Sequence, residues 1–376
     1  MPGRTMEPDE NAGQLKKYEP PTVVAISLRP EEAVLGNCKT SGSSGPAASS
    51  CIALLCKTIG SQGRSFGILQ AMSQGAMMSA ASSPAGCRSS FAVAGLSLGL
   101  TANEPRLAGL APALGPFAVD QSQCDIEIQA RWVERLASSA VPPLFDSGAV
   151  WSAYEAEDGL AFDFSTPALG MLPYKRLLVD TRFSRAQLLL SRPALARSAG
   201  WFPLEYPLDE LLVTHRLSDA GGVEIHACAV VDPQSGAHLF VGHSGAGKST
   251  TAALWAGSGR PVQVLSDDRV ILRVLPEGIR MFGTPWHGEG RYAAPGSARV
   301  DRIFILEHGQ ENEIVALPRG VAAAELFARL FVPFYSPQRL EAALAVIETV
   351  AHLLPCYLFR FRAEVSAVER VSAFYD

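Results

Sequence analysis

The sequence lacks several patterns that would place it in a common class. None of its seven cysteines forms a C-x-x-C pair and their number is odd, so neither a zinc site nor a disulfide framework is indicated, and a reducing, cytoplasmic compartment is expected. There is no run of about twenty apolar residues, and the amino-terminal segment is polar rather than signal-like. The net charge of −5, without a cluster of Lys and Arg, gives no reason to expect a nucleic acid or a membrane as a partner.

Acidic residues are missing from a long amino-terminal stretch. Residues 33–103 contain no Asp or Glu and are rich in Ser, Ala and Gly. Their only charged side chains are four basic ones, Lys39, Lys57, Arg64 and Arg88. Segments such as TSGSSGPAASS show neither helical periodicity nor alternation. We therefore predict that residues 1–122 are a low-complexity region, either disordered like a flexible linker or non-native, for example translated from a shifted reading frame.

The clearest motif is LFVGHSGAGKSTTAALW, at residues 239–255. Gly242, Gly247, Lys248 and Ser249 fit the Walker A pattern G-x-x-x-x-G-K-[ST], with an apolar run before it and a helical pattern after it. Glycines allow positive φ, so the loop is expected to turn its N–H groups toward phosphate oxygens beside a helix N-terminus. The alternative is a Gly/Ser-rich turn that matches the pattern by chance.

The loop residues are predicted to bind ATP together with Mg²⁺. Lys248 is expected to reach the β- and γ-phosphates, and the Ser249 hydroxyl is expected to ligate Mg²⁺. Positive φ is expected at Gly242, Gly245 and Gly247, and the His243 side chain is expected to point outward. The predicted nucleotide-binding residues are Gly242, His243, Ser244, Gly245, Ala246, Gly247, Lys248, Ser249 and Thr250.

An acid pair, Asp267 and Asp268, follows the apolar strand PVQVL at residues 261–265. An acid at the carboxyl end of a buried strand is typical of a Walker B element. One acid of such a pair can hold Mg²⁺ and the other can accept the proton of an attacking hydroxyl, but the sequence does not say which acid does which. The alternative is a solvated pair that caps a turn.

Two further side chains are candidates for the site. His226 lies midway along the β-rich run at residues 223–231, where a lone histidine is more often a hydrogen-bonded core residue. The segment TPWHGEG, residues 284–290, has the composition of an active-site loop, and its Glu289 is a candidate metal ligand beside Ser249 and Asp267. The alternative for this segment is a surface turn. Arg302 and His308 flank a strand and carry no signal of their own.

The pattern of elements predicts two folded units. Alternation at residues 125–132, a hairpin at 151–164 and strands at 175–180 and 186–190 indicate a small, mostly antiparallel β layer over residues 123–204. Residues 205–376 are predicted to be an α/β domain, with a hairpin of 223–231 and 239–241 that leads into the loop. Its other predicted elements are a hairpin at 270–274 and 279–282, a helix whose apolar face is Leu326, Phe327, Leu330 and Phe331, a helix over 340–354, a strand at 357–361 and a final short helix.

The strand EIHACAVV, the loop GHSGAGKS and the segment LSDD resemble the carboxy-terminal domain of HPr kinase/phosphorylase. They are more similar still to the HPr-kinase-related proteins found beside peptide-modification genes, over about residues 205–365. The resemblance implies a P-loop fold akin to phosphoenolpyruvate carboxykinase, and γ-phosphoryl transfer from a nucleotide to a serine hydroxyl of a protein or peptide. It also implies that Lys248 and Ser249 bind phosphate and Mg²⁺, that the acid pair supplies the base, that His226 lies near the transferring phosphate, and that Glu289 completes the metal shell.

The chain also departs from the classical enzymes of that family. They carry a Glu-x-Arg-Gly signature near the position of TPWHGEG, and a further loop linked to the phosphorylase reaction has no counterpart here. The expected function is therefore an ATP-dependent, Mg²⁺-requiring serine kinase acting on a peptide or protein other than HPr, with oligomeric state left open. The alternatives are a nucleotide-binding regulatory or scaffold protein and, less favoured because no second set of metal ligands is evident, a carboxykinase-type enzyme.

Overall fold

The computed structural model describes residues 86–148, 150–196 and 200–374, which form a mixed α/β structure around two sheets. Within these residues the first sheet has eight strands, in the order β1-β2-β3-β8-β7-β6-β5-β4. They are β1 (Cys87–Val93), β2 (Leu96–Ala102), β3 (Ile126–Val133), β4 (Phe145–Asp146), β5 (Trp151–Ala156), β6 (Gly159–Phe164), β7 (Lys175–Asp180) and β8 (Arg185–Ser191). The pairs β2–β3 and β3–β8 are parallel, and the other five pairs are antiparallel. The predicted mostly antiparallel layer, with its β5–β6 hairpin, is confirmed.

The first sheet begins earlier in the chain than predicted. Strands β1 and β2 form a hairpin that pairs with β3, and Phe91, Leu98 and Leu100 are fully buried. Arg88, one of the four isolated basic residues, forms an ion pair of 2.9 Å with Glu127 on β3. The prediction of a region without a packed fold is therefore wrong for residues 86–122, because the apolar side chains of β1 and β2 are sufficient to form a buried hairpin even where acidic residues are absent. Residues 1–85 lie outside the described residues.

The second sheet has ten strands in the described residues and carries the phosphate-loop motif. Its main path is β14-β13-β12-β9-β10-β15-β18-β16, and β11 and β17 also pair with β9. The strands are β9 (Gly222–Asp232), β10 (Gly236–Val241), β11 (Gln263–Ser266), β12 (Arg269–Leu275), β13 (Gly278–Gly283), β14 (Ser297–Arg299), β15 (Arg302–His308), β16 (Glu313–Ala316), β17 (Leu330–Phe331) and β18 (Cys356–Phe361). The predicted β9–β10 and β12–β13 hairpins are confirmed.

Three neighbouring strands of the second sheet run in the same direction. β10 is parallel to β15, and β15 is parallel to β18. The carboxyl ends of these strands therefore lie at one edge of the sheet, where ligands of open α/β sheets commonly bind. The loop that follows Val241, the His308 side chain and the Phe361 ring all come to this edge.

Helices cover both faces of the second sheet. In chain order the helices are α1 (Arg192–Leu195), α2 (Leu208–Leu217), α3 (Lys248–Ala256), α4 (Arg319–Phe327), α5 (Pro337–Leu353) and α6 (Val365–Ser372). Helices α3 and α6 pack on one face, with Phe240, Trp255 and Phe304 in the core, whereas α4 and α5 pack on the other. Helix α2 packs its leucines against the first sheet. No helix in the described residues is long and apolar enough to cross a membrane.

One predicted helix is shorter than its apolar pattern indicated. Helix α4 ends at Phe327, and the next apolar pair, Leu330 and Phe331, forms β17 against β9. The Arg329 carbonyl oxygen accepts a hydrogen bond from the His226 N–H at 2.8 Å, which ties the turn to the same strand. The prediction of one helical face through Phe331 is wrong because β10 pairs with β9 only from Ala227 to Asp232, and β17 supplies the partner for Glu224 and Ile225, which a local side-chain pattern cannot reveal.

Candidate phosphate-binding site

The phosphate-loop motif forms a tight turn between β10 and α3. Gly245 and Gly247 have φ angles of 81° and 97°, in the left-handed region that favours glycine. Gly242 has no positive φ, so that expectation is wrong for this residue. A Cβ atom at Gly242 would instead lie 2.6 Å from the Ala246 Cβ, and one at Gly247 would lie 2.6 Å from the Phe361 ring. Close approach explains Gly242, whereas Gly247 is required for both its backbone angle and its lack of a side chain.

Lys248 folds back across the loop that precedes it. Its side chain is buried, and its Nζ donates a hydrogen bond to the His243 carbonyl oxygen at 2.9 Å. The His243 Nδ1 donates to the Ser244 carbonyl oxygen at 2.8 Å, at the surface of the loop, in agreement with an outward position. Ser244, Gly245 and Thr250 are exposed. The ammonium group thus lies on the loop itself, where a bound phosphate would be attracted to it.

A hydrogen bond joins the loop to the acid pair. The Ser249 hydroxyl donates a hydrogen bond of 2.9 Å to Oδ2 of Asp267, which is fully buried. Three backbone N–H groups donate to the same carboxylate, from Gly288 at 3.0 Å, Gly290 at 2.8 Å and Tyr292 at 3.2 Å. Four donors satisfy the Asp267 carboxylate, so it is held in one orientation beside Ser249.

The predicted TPWHGEG loop, residues 284–290, supplies the Gly288 and Gly290 contacts through its backbone. A Cβ atom at Gly288 would lie 2.9 Å from Asp267 Oδ2, and one at Gly290 would lie 2.7 Å from it, so both positions require the close approach that glycine permits. The Glu289 side chain between them is exposed and makes no hydrogen bond or ion pair within the described residues. Its role as a metal ligand stays a prediction.

Asp268 has different partners from Asp267. Its Oδ1 accepts a hydrogen bond of 2.8 Å from His226 Nε2, and its Oδ2 accepts one of 3.1 Å from the Arg269 guanidinium. His226 is buried, with its ring beside Phe331. The structure therefore brings together the two candidates His226 and Asp268, which are 42 residues apart in sequence. It separates the acids into one that faces Ser249 and one that faces His226.

Arg269 is the centre of a buried charge cluster that the sequence reasoning missed. It contacts Glu210 on α2, lies 3.8 Å from Glu224 on β9 and donates to Asp268. Burial raises the pKa of Glu210 well above its usual range and also raises that of Glu224, against the opposing charge of Arg269. The Thr214 hydroxyl donates to Glu224 Oε2 at 2.7 Å. One cation therefore lies among three acids, two of which have raised pKa values, and such perturbed pKa values are concentrated at functional sites.

A second buried acid on α2, Asp209, contacts the TPWHGEG loop. Trp286 Nε1 donates to Asp209 Oδ2 at 3.2 Å, and both side chains are buried. Burial raises the pKa of Asp209 to about 7, although the Trp286 hydrogen bond acts in the opposite direction. Trp286 belongs to the TPWHGEG segment, so Asp209 of α2 helps to hold this segment against Asp267. Glu210 of the same helix contacts Arg269, which in turn contacts Asp268.

His308 contacts the phosphate-loop motif, a role that no sequence pattern indicated. Its Nε2 donates to the Gly245 carbonyl oxygen at 2.8 Å, and its ring stacks on Phe361 with centroids 5.9 Å apart. The topology could have indicated it, because β15 is the parallel neighbour of β10 and must end beside the loop. Arg302, at the other end of β15, is remote from that edge.

The residues at the loop fit a Mg²⁺ ion that is held mainly by nucleotide phosphates. The Ser249 hydroxyl and the Asp267 carboxylate are hard oxygen donors within hydrogen-bond distance of each other, as such a site requires. Within the described residues no group of three or more His, Cys, Asp or Glu side chains could hold a metal by itself. Mg²⁺ usually needs only one or two protein ligands, because substrate phosphates and water supply the others.

A separate groove lies on the first sheet. Its volume is about 620 Å³, and its lining includes Gln129, Leu160, Leu178 and Gln187 on strands β3, β6, β7 and β8. No residue of the phosphate loop lines it. The groove and the candidate phosphate-binding site therefore belong to different sheets.

No protein-family model matches this chain, and no curated protein matches it.

Proposed function

We propose that this protein is an ATP-dependent, Mg²⁺-requiring kinase that transfers the γ-phosphoryl group to a hydroxyl of a peptide or protein. The observation that carries the proposal is the 2.9 Å hydrogen bond between Ser249 and the buried Asp267. It joins a glycine-rich loop at a helix N-terminus to an acid at the end of a buried strand. Mg²⁺ bound to nucleotide phosphates would need a hydroxyl and a carboxylate this close together.

Nucleotide binding is assigned to the loop between β10 and α3. Gly245 and Gly247 give the backbone the angles at which successive N–H groups converge on an anion, and the first turn of α3 adds its positive dipole end. Lys248 would exchange its hydrogen bond with His243 for one to a phosphate oxygen. Mg²⁺, when bound, would neutralise charge on the β- and γ-phosphate oxygens.

Asp268 is the better candidate for the base. Asp267 faces Ser249, where a Mg²⁺ ligand is expected, whereas Asp268 faces His226. The acceptor hydroxyl oxygen would form a bond to the γ-phosphorus as the bond from that phosphorus to the β–γ bridging oxygen breaks, and the hydroxyl proton would pass to Asp268. Positioning and charge, not covalent catalysis by the protein, would supply most of the rate.

The acceptor is assigned by resemblance rather than by geometry. The similarity of EIHACAVV, GHSGAGKS and LSDD to the HPr-kinase-related proteins favours a P-loop kinase fold of the phosphoenolpyruvate carboxykinase type and a serine acceptor in a peptide. We place the reaction in the cytoplasm, where ATP is abundant and thiols stay reduced. The cysteines of the described residues, Cys87, Cys124, Cys228 and Cys356, are all free thiols, which supports that location.

The test is phosphoryl transfer from ATP in the presence of Mg²⁺ to peptides encoded beside the gene, read by mass as an added phosphate group. Asp267→Asn and Asp268→Asn should each lower transfer by about 100-fold or more, because each removes a charge that the reaction uses. Asp158→Asn, in the exposed turn between β5 and β6, is the matched control and should not change the rate. Equal transfer by wild type and both site variants would contradict the proposal, and nucleotide binding without transfer to any peptide would favour a regulatory protein.

A further inference from the structure

Arg291 has an unusual backbone in the loop that holds Asp267. Its φ angle is 58°, in the left-handed region, where a residue other than glycine is strained. Within the described residues only Ala94 and Phe183 share this property among non-glycine residues. Strained backbone persists where surrounding contacts hold it in place, and it is concentrated at functional sites.

Hydrogen bonds on both sides keep Arg291 in this conformation. The N–H before it, from Gly290, donates to Asp267 Oδ2 at 2.8 Å, and the N–H after it, from Tyr292, donates to Oδ1 at 3.2 Å. The Arg291 N–H itself donates back to the Gly288 carbonyl oxygen at 3.3 Å. The left-handed turn thus lets alternate N–H groups point at one carboxylate. Glycine would take this conformation without strain, so the arginine side chain needs another reason.

The Arg291 backbone lies beside the Asp267 carboxylate, and the Arg291 side chain is uncommitted. Because the Tyr292 N–H contacts Asp267, the Arg291 Cα lies roughly 6 Å from that carboxylate, given standard backbone dimensions. The Ser249 hydroxyl lies 2.9 Å from the same carboxylate. An extended arginine side chain can span the remaining distance. Arg291 is exposed, and its guanidinium makes no hydrogen bond or ion pair with any described residue.

The site has more negative than positive charge, so the Arg291 cation would improve its charge balance. Lys248 is the one basic side chain on the loop, whereas a nucleotide triphosphate and the two aspartates bring several negative charges. During transfer, negative charge spreads over the oxygens of the γ-phosphoryl group, where a guanidinium can donate two parallel hydrogen bonds. Arg269 cannot serve, because it is buried among Glu210, Glu224 and Asp268.

We propose that Arg291 is a catalytic residue that contacts the γ-phosphoryl oxygens in the transition state, and that its left-handed backbone holds it at this position. The inference rests on the proposed kinase function. Arg291 would contact the transferring phosphoryl group and not the rest of the nucleotide. Replacing Arg291 should therefore weaken binding of the transition state more than binding of the nucleotide.

The experiment compares the binding of MgADP with that of MgADP plus aluminium fluoride, which imitates the transferring phosphoryl group, by calorimetry. Wild type should bind the aluminium fluoride complex at least about 100-fold more tightly than MgADP, as expected for a transition-state analogue. Arg291→Asn should lose most of this gain but bind MgADP within about threefold of wild type, because asparagine tolerates the left-handed region while the guanidinium that would contact the phosphoryl group is removed. Arg291→Lys should keep part of the gain, since a lysine lacks the planar fork.

The matched control is Arg182→Asn, an exposed arginine in the turn between β7 and β8, which should keep the full gain. An Arg291→Asn protein that binds the aluminium fluoride complex as tightly as wild type would overturn the inference and leave the proposed function intact. Loss of MgADP binding together with loss of thermal stability in Arg291→Asn would also overturn it, because the residue would then have only a structural role. Failure of wild type to bind MgADP would overturn the proposed function and this inference with it.

Discussion

Buried charged residues are paired differently in the two sheets of this protein. In the first sheet each buried ion has its own partner, as in the hydrogen bond of 2.7 Å between Arg176 and Asp163 and the contact of 3.1 Å between Lys175 and Glu205. At the second sheet Arg269 serves several acids at once. Hydrophobic residues of similar volume can replace a buried ion pair without loss of stability, so a cluster of one cation and three acids beside the candidate phosphate-binding site favours a functional role over a role in folding.

The largest effect on stability should come from removing the shared cation. Arg269→Met leaves buried carboxylates without their counter-ion, so the free energy of unfolding should fall by about 3–5 kcal/mol. Arg176→Met leaves a single buried carboxylate, that of Asp163, without its cation and should lower the free energy of unfolding by about 1–3 kcal/mol. Urea unfolding measures both. A loss for Arg176→Met as large as that for Arg269→Met would contradict the difference between the sheets.

The pH dependence of stability should have opposite signs in the two regions. Because burial raises the pKa of Asp209 from 3.8 to about 7, the folded protein keeps a proton that the unfolded chain releases above about pH 4. The free energy of unfolding of wild type, relative to Asp209→Asn, should therefore fall by up to roughly 4 kcal/mol between pH 4 and pH 7. Denaturant unfolding at a series of pH values measures this slope.

Asp180 in the first sheet supplies the opposite case. Burial acts to raise its pKa, but hydrogen bonds from the Ser184 hydroxyl and backbone lower it overall. Its contribution to stability is present above the unfolded pKa and should be lost as pH falls through the folded one. Relative to Asp180→Asn, wild type should lose stability toward acid. Slopes of the same sign for Asp209 and Asp180 would contradict this account.

The smallest of these effects concerns glycine. Gly247→Ala combines a left-handed backbone with a contact of 2.6 Å to the Phe361 ring, so unfolding should become easier by about 2–3 kcal/mol. Gly148→Ala, in the first region, has a φ of 70° but nothing within 4 Å and should lower stability by about 1 kcal/mol. Thermal unfolding of both variants measures the difference. Equal losses would show that close packing at the loop is not what requires glycine.

Local patterns were sufficient to predict the parts of the site that are close in sequence. The strand, loop and helix around Lys248, the strand before Asp267 and the hairpin that carries His226 each depend on periodicity or turn chemistry within a short window. The roles of Asp267 and Asp268 could not be separated in this way, because their partners lie elsewhere in the chain. Ser249 and the glycine loop contact one acid, and His226 contacts the other.

The remaining features depend on long-range pairing. The Arg269 cluster needs α2 beside β9 and β12, and the His308 contact needs β15 beside β10. β17 pairs with the part of β9 that lies beyond the β10 pairing, and the β1–β2 hairpin pairs with β3. None of these neighbours can be deduced from periodicity, which describes one element at a time.

The central claim is that the loop ending at Lys248 and Ser249 holds nucleotide phosphates. Calorimetric titration of wild type and Lys248→Ala with ATP in the presence of Mg²⁺ tests it most directly. Wild type should bind with one site per chain, and Lys248→Ala should bind at least about 100-fold more weakly, because it loses the ammonium that lies on the loop and would attract the phosphates. Absence of binding by wild type, or equal binding by Lys248→Ala, would contradict the account.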